Sequence, residues 1–117
     1  MVEYRDVQFY GEIMSDYVRR KYNVVELNEP ELNKKIAILD TFAKALNFPS
    51  DFGRNWDAFR DYIRDLAWLE TKQIAVLLRP NVGAAANETY STLLDILDEA
   101  SEHWKDHKVD FDVVIFR

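Results

Sequence analysis

Ile74-Ala75-Val76-Leu77-Leu78 is five apolar residues in a row, closed by Gln73 on one side and Arg79-Pro80 on the other. A strand with one wet face alternates apolar and polar residues, whereas an unbroken run requires apolar cover on both faces. Doubly covered sheets are built from parallel strands joined by helices, so a parallel sheet is expected. Val24-Val25-Glu26-Leu27 reads as a second short buried strand. Val109 to Phe116, with Phe111, Val113, Val114, Ile115 and Phe116, reads as a third. Strands separated by helices imply right-handed crossovers. The expected architecture is α/β, a small three-stranded parallel sheet with crossover helices.

The helical segments show their own signals. Asn28 reads as a cap, with Pro30 in the first turn and Glu31 three residues on, and Leu32, Ile36, Leu39, Ala43 and Leu46 give the following helix a core face. Asn47 and Phe48-Pro49 end it. Ala67 to Lys72 reads as a turn or short helical piece, in which Trp68 either anchors a partner or covers the core. Asn81 to Asn87 lacks the lysine and glycine spacing of a phosphate-binding loop and reads as a connector, with Asn87 capping a helix built on Tyr90, Leu93, Leu94, Leu97, Ala100 and Trp104. The outer face of that helix, Asp95, Asp98, Glu99 and Glu102, is acidic. At the other end of the chain, Val2, Tyr4, Val7 and Phe9 suggest short extended pieces around Arg5-Asp6. Gly11 separates these from Ile13, Met14, Tyr17 and Val18, whose spacing is helical. Arg19-Arg20-Lys21 then complements the negative end of that helix better than it makes a nucleic-acid patch.

Charge narrows the function. Fifteen Lys and Arg against 21 Asp and Glu give a net charge of -6, which repels nucleic acid and attracts a basic partner. With no cysteine, neither a disulfide framework nor a thiolate metal site is available. His103 and His107 have the i, i+4 spacing of metal ligands, but no glutamate follows His103 as the zinc-protease motif requires, so no metal and no cofactor is expected. No apolar run approaches membrane length and the first residues carry Glu3, Arg5 and Asp6, so a cytoplasmic protein with no membrane contact is expected.

The stretch from Phe48 to Leu66 holds the candidate site. On a helix from Trp56, residues Trp56, Phe59, Tyr62, Ile63 and Leu66 share a sector of roughly 120°, the buried stripe. Asp57, Asp61 and Asp65 follow one another at i, i+4 and i+8 on the other side, with Arg60 and Arg64 between them. Like charges at that spacing cost an isolated helix about 0.2–0.5 kcal/mol per pair, so either the arginines screen a solvated face or the ridge serves a partner. Pro49 stops the preceding segment, Gly53 permits either a backbone angle or a close approach that a side chain would block, and Asn55 is a good cap. Catalytic carboxylate pairs straddle a cleft that separates their pKa values. Asp57 and Asp61 instead lie one turn apart on one helix face with arginines beside them, and no enzyme activity is expected.

Phe52-Gly53-x-Asn55-Trp56-Asp57-Ala58-Phe59-x-Asp61, with Pro49 upstream, resembles the signature of the barstar family of ribonuclease inhibitors. The resemblance runs from about Asn23 to Arg117. It implies a barstar-like domain at 23–117 carrying an N-terminal extension, residues 1–22, that covers a sheet edge, makes a dimer or widens a partner interface. It also implies an intracellular inhibitor that blocks a basic ribonuclease or nuclease toxin with an acidic helix mimicking RNA phosphate, such as a bacterial immunity protein in a toxin–antitoxin pair. Asp61 matches the family's central acidic residue, Asp57 the acidic residue one turn earlier, and Trp56 an apolar interface position. Asp51, Arg60 and Arg64-Asp65 fall at interface positions where the best-known member has other residues, and Ser91 replaces an acidic one. The partner-binding set is therefore Asp51, Trp56, Asp57, Arg60, Asp61, Arg64 and Asp65. The alternative is an interaction or regulatory domain that keeps the fold without inhibiting a nuclease. Oligomeric state is left open.

Overall fold

In a computed structural model describing residues 2–81, 83–107 and 109–117, the apolar run forms the heart of strand β3 (Gln73–Arg79), and Ile74 to Leu78 are fully buried. It lies between β2 (Asn23–Asn28) and β4 (Asp110–Phe116), parallel to both. A further strand, β1 (Val2–Arg5), pairs parallel with the far side of β4, so the order is β1-β4-β3-β2. The sheet therefore has four strands, not the three expected. Four residues with one neighbouring strand and an exposed edge carry no burial pattern for periodicity to register.

One face of the sheet is covered by α2 (Lys35–Ala45), α3 (Trp56–Ile63) and α4 (Glu88–Lys105), whose Ile38, Leu39, Phe42, Phe59, Ile63, Leu93, Ile96 and Leu97 form the larger core with Val25, Leu27, Ile74, Val76 and Val113. The other face is covered by α1 (Tyr10–Arg19), which sets Tyr10 and Tyr17 on Ala75, Leu77, Val114 and Phe116. Residues 2–22 thus supply an edge strand and the cover for the second face. No helix of the described residues is long and apolar enough to cross a membrane.

Several local expectations shift. Gly11 lies inside α1 with open space beside it and separates nothing. Asn28 ends β2 and accepts a hydrogen bond from Arg79 Nε at 2.8 Å. The helix it was expected to cap begins only at Lys35, after a 3-10 turn at Glu31–Asn33. That later start leaves Ile36 44% exposed and buries Ile38 and Phe42 instead. Asn87 does cap α4, its side chain accepting from the Tyr90 N–H at 3.1 Å. Trp68 is a cover rather than a free anchor. It is half-buried, and its indole donates to the Leu46 carbonyl at 2.8 Å.

Candidate functional site

The candidate site is the outer face of α3, held at both ends. Asn55 has extended backbone and accepts from the Ala58 N–H at 2.8 Å, satisfying a donor that the first turn leaves without an intrahelical partner. Its amide donates back to the Gly53 carbonyl at 3.3 Å, and a Cβ on Gly53 would meet that amide at 3.1 Å. The close approach expected of the glycine is therefore present, while the left-handed backbone belongs to its neighbour Arg54, at φ 53°. Arg54 grips Asp40 of α2 through two parallel hydrogen bonds of 3.0 Å, bracing the entry turn against the preceding helix.

Beneath α3, Phe59 and Ile63 are fully buried, and the Phe59 ring meets Phe42 edge-on at 4.8 Å. The helix stops at Ile63, whose carbonyl accepts from the Trp104 indole at 2.9 Å, and Leu66 turns the chain away at φ 51°. Asp65 consequently lies in the turn beyond the helix. The carboxylate ridge on α3 is Asp57 and Asp61 alone, not the three-residue line expected. Leu66 is buried as expected, but from the turn.

The exposed face separates into carboxylates and tethered neighbours. The Asp57 and Asp61 side chains are 96% and 76% exposed. Arg60, between them, donates from Nε to Glu99 of α4 at 3.0 Å and only brushes Asp57, at 3.6 Å. Arg64 caps the C-terminus, donating to the Arg60 carbonyl at 3.4 Å and lying 3.9 Å from Asp61. Trp56 is half-buried against Phe59 at the border of the acidic face. Tyr62 was expected on the buried stripe but is half-buried. Its hydroxyl donates to Asp51 at 2.6 Å, a bond that raises the phenol's pKa and fixes the Asp51 carboxylate. Asp51, Trp56, Asp57, Arg60, Asp61, Arg64 and Asp65 thus all lie on or beside α3, while Ser91 is exposed on α4. Sequence reasoning missed Glu99 as the partner of Arg60, and Asp40 with Arg54 as the brace of the entry turn. The one available signal was the acidic outer face of α4.

A cleft of about 480 Å³ lies between the C-terminal end of α4 and the start of β4, and no residue of α3 lines it. Among the described residues no group of three His, Cys, Asp or Glu is placed to hold a metal. His103 and His107 stack at 4.8 Å, and the His107 Nδ1 donates to the His103 carbonyl at 2.7 Å. A rigid acidic helix projecting from a braced scaffold is suited to entering another protein's cationic pocket.

The family described as Barstar (barnase inhibitor) matches residues 22–115. No curated protein matches the chain.

Proposed function

The chain belongs to the barstar family, and from that premise we propose that it is an inhibitor of a basic ribonuclease or nuclease toxin, acting in the cytoplasm without catalysis of its own. A ribonuclease grips RNA phosphate with arginine, lysine and histidine. Asp61 enters that site as a phosphate mimic, and Asp57 supports it one turn away with charge-assisted hydrogen bonds. Trp56 supplies apolar contact at the border, and Asp51, Arg60, Arg64 and Asp65 form the rim that sets which nuclease is accepted. Complementary charge speeds the encounter, and exclusion of water around the central carboxylates slows release.

One observation carries the reading. Asp57 and Asp61 stay open to solvent while the arginine between them, 3.6 Å from Asp57, is bonded sideways to Glu99. Two arginines pointing at a cationic pocket would oppose docking, and the Arg60–Glu99 pair holds one of them to the side, in the rim rather than on the acidic crest. The test is capture from the source cell's lysate and secreted fraction with the parent protein and with Asp57→Ala/Asp61→Ala, followed by identification of the captured proteins. A basic nuclease captured and inhibited only by the parent supports the proposal. Equal capture by both proteins places the site elsewhere.

A further inference from the structure

The outer edge of β1 pairs with no strand among the described residues. We propose that it is a self-complementary edge, through which two copies of this chain join antiparallel into one continuous eight-stranded sheet. The backbone sets the rule for what can pair there. The Arg5 carbonyl accepts from the Arg117 N–H and the Val7 N–H donates to the Arg117 carbonyl, each at 3.0 Å, so the odd-numbered residues of β1 address β4. By alternation, Val2, Tyr4 and Asp6 turn their N–H and C=O groups outward. In an antiparallel pair, outward-facing residues must oppose outward-facing residues.

Three of the two-fold registers that meet that rule are centred on Glu3, Tyr4 and Arg5. Centring on Glu3 opposes Glu3 to Glu3, and centring on Arg5 opposes Arg5 to Arg5. Like charges directly opposite are destabilising in both. Centring on Tyr4 makes Tyr4 bond to its own copy and places Glu3 opposite the copy's Arg5 on both sides of the axis. Those become the close, non-hydrogen-bonded pairs, in which side chains interact most strongly. Edges that avoid association carry charges that repel a second copy, whereas the triplet Glu3-Tyr4-Arg5 attracts one.

The surroundings fit. Tyr4 is 52% exposed beside a groove floored by Leu94 and Ile115, and Val2, Val7 and Phe9 are also exposed around the same strand. Pairing of the Tyr4 rings across the axis closes the groove from the side. No residue of α3 lines that groove.

The experiment is sedimentation of the full chain, tagged only at its C-terminus, over a concentration series. The parent is expected to reach twice the chain mass. Tyr4→Pro deletes an outward N–H and leaves the bonds to β4, so it is expected to sediment as a monomer with an unchanged circular dichroism spectrum. Glu3→Lys is expected to be monomeric, and Glu3→Lys/Arg5→Glu, which reverses each cross-pair, to regain the dimer. A parent that stays monomeric at every concentration overturns the proposal and leaves the edge to another partner or to solvent. A Tyr4→Pro dimer, or a double variant no better than Glu3→Lys, overturns it equally.

Discussion

Arg60 Nε donates to Glu99 Oε2 at 3.0 Å, a link 39 residues apart in sequence that ties the acidic helix to α4 and turns a cation away from its crest. Exposed ion pairs contribute little to folding, so Glu99→Ala is expected to change stability by less than about 1 kcal/mol. Its effect on binding is larger. Freed from Glu99, the guanidinium swings to Asp57, already 3.6 Å away, and neutralises part of the proposed binding face. Stopped-flow association with the captured nuclease should slow several-fold, and Arg60→Ala in the same background should restore the rate.

Asp61→Ala is expected to weaken nuclease binding by about 2 kcal/mol or more, or roughly thirtyfold, a range for central interface residues to which barstar's own interface contributes. The melting temperature should hold or rise slightly, because the carboxylate is 76% exposed and repels Asp57 one turn away. Inhibition titrations beside thermal melts check this. A parallel fall in both would mark Asp61 as structural.

How much of this was legible depends on the range of the interaction. β3 could be read because burial on both faces writes itself into five neighbouring residues, Ile74 to Leu78. The entry to α3 could be read because Gly53 and Asn55 act on each other within one turn. The end of α3 could not, since it depends on Trp104, 41 residues away, reaching the Ile63 carbonyl. The same holds for Arg60 with Glu99 and for β1 against β4, where the partner is chosen by the fold rather than by spacing. The sequence therefore pointed to the acidic face but overextended it to Asp65, and it did not reveal which arginine is drawn off.

Asn55→Ala removes the side-chain acceptor of the Ala58 N–H and should cost about 1 kcal/mol, which for a domain of this size is about 4 °C in melting temperature. Asn55→Ser retains a cap and should recover most of the loss. Because the cap also orients the turn holding Trp56 and Asp57, the alanine variant should lose inhibitory potency at a temperature where it remains folded. Melts and inhibition assays on the two variants separate the effects.

Tyr90 makes stability depend on alkaline pH. The residue is 4% exposed, and burial pushes its pKa from 10.0 up to about 12. Above about pH 10 the unfolded chain releases this proton while the folded chain keeps it, so the native state binds more protons and stability falls as pH rises. The contribution is complete below the unfolded value and gone once pH passes the folded one. Two pH units correspond to about 3 kcal/mol. Burial and the carboxylates of Glu26 and Asp112 raise Tyr10 and Tyr17 in the same direction, which steepens the decline. Urea unfolding from about pH 8 to 12 should show a plateau followed by this fall, and Tyr90→Phe, having no proton to lose, should fall less steeply by that amount. An identical slope in the variant would mean that Tyr90 ionises no differently in the folded and unfolded chains.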